Sequence, residues 1–178
     1  MKRRHLKRQF LRWMLLALGG GFALIVAAWS LGVRTNLTQS LPRGLYVFVD
    51  GPVDPGHLVA VCLPEDRARF GRERGYLPPG PCPGQAAPML KRVAAAEGET
   101  VELRDDGVWV GGHWIQASPS STDSRGRRLE PLDNGLYRLQ PGQLWLTTDQ
   151  ERSWDSRYLG PFHQTQVLGR VLALWTFE

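Results

Sequence analysis

One uncharged apolar run, Trp13–Val33, stands apart from a chain otherwise made of short alternating segments. The run WMLLALGGGFALIVAAWSLGV holds 21 residues. As a helix at about 1.5 Å per residue it measures about 31 Å, enough to cross a hydrocarbon core. Trp13 and Trp29 stand near its ends, where indole rings favour the interface. Residues 1–12 carry six cations and no acid, which predicts that this basic tail is cytoplasmic and that the chain beyond the run is exported. A cleavable signal is the alternative, with small residues for a cut at Ala28-Trp29-Ser30. The length of the run favours an uncleaved anchor, although Gly19-Gly20-Gly21 weakens the helix centre. The chain thus divides into a tail 1–12, an anchor or signal segment 13–33 and an exported domain 34–178.

The exported part reads as strands and turns. Gly44–Asp50 and His57–Cys62 are short apolar runs set apart by Gly-Pro and Pro-Gly breakers. Ala87–Glu97 contains MLKRVAAA, apolar enough for a central strand. Thr100–Arg104 and Val108–Val110 flank Asp105-Asp106-Gly107, a hairpin turn signal. Further strands are predicted over His113–Ala117, Leu136–Leu139, Gln143–Thr148 and Val167–Phe177, with Ser118–Asn134 as a polar loop. In the last strand apolar residues fill both faces, which predicts a core position. Many short strands with frequent turns indicate a mostly β, antiparallel domain behind one N-terminal helix.

Charge then removes one class of partner. The chain of 178 residues has a net charge of +5. The tail supplies six positive charges, so the rest, with 16 basic and 17 acidic side chains, is at −1. A nucleic-acid surface needs its basic excess on the folded face, so no nucleic-acid partner is expected. Export also bears on Cys62 and Cys82, the only cysteines. An oxidising compartment favours a disulfide between them over two buried thiols, closing a segment dense in Pro, Gly and Arg. Neither cysteine has a ligand-spaced neighbour, so no metal site is expected, and no phosphate-binding loop or other cofactor motif is found.

Candidate chemistry rests on lysine usage. Past the apolar run there are fifteen arginines and one lysine, Lys91, followed by Val93-Ala94-Ala95-Ala96. Arginine stays protonated, whereas a desolvated lysine can turn neutral and act as a base. The candidate nucleophile is Ser40, held before a Pro-containing turn in Ser40-Leu41-Pro42-Arg43-Gly44 and seven residues beyond the predicted membrane exit. His57, His113 and His163 lack neighbours suited to a Ser-His-Asp triad, and Arg125, Arg127 and Arg128 read as a solvated loop cluster.

Together these features resemble the signal peptidase superfamily of serine–lysine proteases, and specifically the conjugative-transfer TraF-type peptidases. The order is an anchor, Ser-x-Pro, Lys91-Arg92-Val93 with Gly98-Glu99, and then Ser153-Trp154-Asp155-Ser156-Arg157-Tyr158-Leu159-Gly160. The proline lies two residues after Ser40 instead of three, and Thr147-Thr148-Asp149 replaces the usual Gly-Asp-Asn opening of the last box. Both departures favour the specialised relative over a general leader peptidase.

The resemblance implies a signal-peptidase-like β fold and a catalytic dyad of Ser40 and Lys91. It also implies an oxyanion hole from the Thr38 hydroxyl and the Ser40 backbone N–H, and a supporting ion pair of Asp155 and Arg157. It makes 34–178 a periplasmic catalytic domain at a bacterial inner membrane, or a soluble periplasmic one if the signal is cleaved. The expected substrate is a pilin precursor, trimmed and joined head to tail, with other pilus or secretion components as further partners. A non-catalytic scaffold of a conjugation apparatus is the alternative from another class.

Overall fold

The computed structural model describes residues 2–38 and 40–177; Met1, Gln39 and Glu178, and the side chains of residues 2–8 in the basic tail, lie outside the described residues. Helix α1 (Lys2–Ser30) contains the apolar stretch Gln9–Ser30, long and apolar enough to cross a membrane and unburied by the rest of the chain. It ends earlier than the apolar run suggested. Gly32 adopts φ 81°, its N–H bonds back to the Trp29 carbonyl, and Val33 already belongs to a strand.

Apart from the short β4 (Pro79–Cys82), the strands form two antiparallel sheets. The larger contains β1 (Val33–Asn36), β2 (Arg43–Val49), β3 (Leu58–Val61), β5 (Met89–Ala95), β10 (Gln143–Thr147), β11 (Phe162–His163) and β12 (Val167–Phe177). Their order is β1-β2-β12-β3-β5-β10-β11. The smaller has the order β8-β7-β6-β9, from β6 (Thr100–Arg104), β7 (Gly107–Val110), β8 (His113–Gln116) and β9 (Gly135–Arg138). The mostly β fold expected from the sequence is therefore the fold observed, and the hairpin at Asp105-Asp106 joins β6 to β7.

Three departures have physical causes. The segment between the cysteines, expected to be a loop with little to bury, contains helix α2 (Glu65–Arg74) ahead of the short β4 (Pro79–Cys82). Glu65 and Asp66 in its first turn and Arg72 and Arg74 in its last complement the helix dipole, and Gly75 closes it in the left-handed conformation at φ 75°. Ala68 is fully buried, and Phe70 stacks near Trp154. The second departure concerns β1, β11 and α3 (Ser156–Leu159), elements too short for a periodic signal.

The third is β12, expected in the core. Only Val171 is buried there; Leu172, Leu174 and Phe177 are exposed, and Trp175 is 61% exposed. Pairing with β3 stops at Val171, and from there β12 pairs only with β2. The β12 end lies tight against β2: an added Cβ at Gly44, at φ 155°, would stand 2.0 Å from the Trp175 carbonyl oxygen. Only glycine fits there, which accounts for Gly44 in the serine motif.

Cys62 and Cys82 form a disulfide with Cα atoms 5.5 Å apart, bridging 20 positions around α2. Closing such a loop stabilises by about 3 kcal/mol in the chain-entropy model. Replacing both cysteines with serine should lower the free energy of unfolding by about that amount. Equal denaturant midpoints and slopes for the two proteins would contradict it.

Candidate active site

Ser40 lies in the connection between β1 and β2, where Asn36 pairs with Gly44. The side chain of Asn36, 5% exposed, organises this connection. Its amide donates to the carbonyls of Leu41 and Pro42, both at 3.1 Å. Its Oδ1 accepts from the backbone N–H and the hydroxyl of Thr38, at 3.1 and 2.7 Å. Leu41 sinks into a small core with Tyr46, Ala60 and Val171, and the Tyr46 hydroxyl donates to the Pro42 carbonyl at 2.7 Å. The serine is thus pinned on both sides by groups whose hydrogen bonds are satisfied.

Lys91 comes from β5, where Met89, Lys91, Val93 and Ala95 share one buried face. It occupies a core position of an alternating strand, paired in register with Val59 of β3, and is 1% exposed. Its Nζ lies 3.4 Å from Ser40 Oγ and donates to Ser153 Oγ at 2.5 Å. Burial lowers the amine pKa to about 8; Asp155 opposes this and Arg157 adds to it.

Ser153 carries no mark of a site residue in the sequence, although it opens the box with Asp155 and Arg157. Its place is fixed by the buried groups beneath it. Asp155 caps α3, accepting from the backbone N–H of Arg157 at 3.2 Å and from its Nε at 2.9 Å. Arg157, fully buried, donates from Nη2 to the carbonyls of Glu151 and Ser153 and from Nη1 to that of Ala117. Gln116 donates to Asp155 Oδ2 at 3.2 Å and to the Thr148 carbonyl at 2.7 Å. The pair spends its charge on the backbone of the segment presenting Ser153. A buried ion pair with this many partners avoids the penalty of an unmatched charge.

A cavity of about 660 Å³ opens over these groups, lined by Thr38, Ser40, Lys91 and Ser153 and walled by Leu77, Met89, Leu129 and Trp154. Among the described residues no histidine lines it. His57 accepts from the Asp54 backbone, His113 is exposed on β8, and His163 caps the turn before β12. The loop 118–134 is less free than its polarity suggested. Arg127 pairs with Asp123 at 2.7 Å and donates to the Arg74 carbonyl, while Arg74 donates to that of Arg128, which ties the loop to α2. Among the described residues no cluster of His, Cys, Asp or Glu is suited to a metal ion.

Residues 7–176 match the family described as signal peptidase, peptidase S26. The chain belongs to that family. Among similar proteins, a plasmid transfer protein TraF of Escherichia coli is 37% identical over 91% of this chain and 94% of its own length. A conjugal transfer protein TraF of Agrobacterium fabrum is 41% identical over 83% and 84%. A probable conjugal transfer protein TraF of Sinorhizobium fredii is 39% identical over 86% and 82%. A signal peptidase I from Enterococcus faecalis, 22% identical, aligns with 68% of this chain and 97% of its own at a TM-score of 0.39. The bracket that Asn36 forms around the Ser40 connection carried no motif in the sequence.

The lowered pKa of Lys91 has a thermodynamic consequence. The folded amine releases its proton near pH 8, the unfolded one near 10.5, so unfolding takes up a proton between those values. Stability contributed by this group is lowest below pH 8 and rises through the window. Measured against Lys91→Met, the wild-type free energy of unfolding should gain about 3 kcal/mol between pH 7 and pH 10.5. A difference that stays constant with pH contradicts an amine destabilised by burial.

Proposed function

We propose that the protein is a membrane-anchored serine endopeptidase of conjugation that matures an exported pilin precursor. Ser40 is its nucleophile and Lys91 its general base. The observation that carries this is the buried Lys91 amine, 3.4 Å from the Ser40 hydroxyl and tuned toward neutrality. Hydrogen bonds of this kind are commonly long before substrate binds.

In the proposed sequence Ser40 Oγ attacks the scissile carbonyl as its proton passes to Lys91 Nζ. The oxyanion is received by the Ser40 backbone N–H and the Thr38 hydroxyl. Thr38 now donates to Asn36, so it must turn toward substrate, with Asn36 still holding its backbone N–H. One such donor contributes about 3–4 kcal/mol to lowering the barrier. The protonated amine then returns its proton to the leaving nitrogen, and an ester on Ser40 remains. Ser153 aims the amine, and Asp155 with Arg157 holds Ser153 in place. The ester passes to water or, for a cyclic product, to the pilin's own N-terminal amine, whose effective molarity when held can exceed that of water.

The names of the similar TraF proteins support the conjugative setting, and helix α1 supports an anchor. The exposed Leu172, Leu174, Trp175 and Phe177 of β12 extend beside β2 and the serine connection. That apolar edge suits a catalytic domain lying against the periplasmic face of the inner membrane. The basic tail then remains in the cytoplasm.

The test is to express the protein with its pilin precursor and weigh the product. Ser40→Ala should abolish maturation. Lys91→Arg should lower it by about 10²–10⁴-fold, as much as Lys91→Ala, because a permanent cation accepts no proton. A cyclic product is lighter than the trimmed linear chain by one water and has no free N-terminus. Full maturation by Lys91→Arg would refute the base assignment; a linear product would refute cyclisation. An intact precursor, together with no labelling of Ser40 by a serine-acylating probe, would leave the scaffold alternative.

A further inference from the structure

Two arginines line the cavity beside Ser40 and Lys91 without an anion of their own. Arg72 is in the last turn of α2, and Arg152 immediately precedes Ser153. Among the described residues neither takes part in an ion pair or a side-chain hydrogen bond, whereas Arg74, Arg127 and Arg157 are each paired. Asp123 is the only carboxylate among the described lining residues and cannot serve them. It accepts from the Tyr76 hydroxyl and from Arg127 Nε, both at 2.7 Å, and from the backbone N–H groups of Arg125 and Arg127 at 2.9 Å. Arg74 stands 3.7 Å from it on the other side.

The unmatched charge of the cavity is therefore positive. It belongs to side chains whose planar forks suit a carboxylate, Arg72 half-buried and Arg152 exposed, in a cavity that also presents Leu77, Met89 and Trp154. We propose that Arg72 and Arg152 form a carboxylate subsite next to the acyl-transfer centre. The bound substrate segment then carries a carboxylate close to the scissile bond, from an Asp or Glu side chain or from the substrate's own C-terminus. The subsite rests on the assignment of Ser40 and Lys91 as the reacting pair, since that pair makes the cavity a substrate cavity.

The test uses full-length Ser40→Ala protein in detergent, which cannot turn peptides over. Pools of short peptides are offered in four versions of each sequence, with Glu or Gln at a central position and with a free or amidated C-terminus. Retained peptides are quantified by mass spectrometry. Versions with a carboxylate should be retained about tenfold better. Preference for Glu within the amidated set assigns a side chain; preference for the free acid within the Gln set assigns the chain end. Adding Arg72→Gln and Arg152→Gln should bring the ratio to one. The corresponding Lys replacements should keep part of it, which separates lost charge from lost folding. Equal retention of all versions, retention of none, or a preference that survives both Gln replacements would overturn the subsite. Labelling of Ser40 in the wild-type protein is read separately. Its absence alongside an intact preference would remove the peptidase assignment and leave the anion site standing.

Discussion

A lysine amine enclosed in a β-sheet protein is the constraint around which the rest is arranged. Desolvation disfavours the charged form of Lys91, and the fold spends several groups on tolerating and aiming it. Ser153 accepts from it, Arg157 holds the Ser153 carbonyl, Asp155 compensates Arg157, and Gln116 steadies Asp155. Ser40 meets it from the other side on a connection bracketed by Asn36 and Leu41. Loosening any member leaves a buried polar group without its partner, which costs about 1–3 kcal/mol each.

Much of this was legible in the residues, for identifiable reasons. Lys91 was conspicuous because a chain that uses arginine elsewhere past its apolar run kept one lysine, beside the apolar Val93-Ala94-Ala95-Ala96; its burial is visible only in the fold. The serine motif and the Asp155–Arg157 box were legible as patterns with fixed spacing. Strands with a turn signal at each end, such as Thr100–Arg104, were found within a residue or two.

Features that stayed hidden depend on contacts made across the chain. Ser153 gains its part only when β5 and the segment before α3 are brought together, 62 positions apart. The bonds of Asn36 arise within a short connection, yet the residue type alone would serve any turn. Helix α2 escaped because its arginines resembled a solvated loop, although Glu65-Asp66 at one end and Gly75 at the other carried start and stop signals. The β12 error was one of context. Apolar residues on both faces predict burial only if another layer covers both, and beyond Val171 every residue of β12 is exposed, so neither face is covered there.

The account depends most on the amine of Lys91 being the group that takes the Ser40 proton. The direct measurement is the pH dependence of Ser40 acylation by a small neutral serine-reactive probe, using the full-length protein in detergent. The rate should rise with pH and level off above about 8, where the buried amine is neutral. A rate independent of pH across this range, or one still climbing to the pKa of an ordinary exposed lysine, would contradict it.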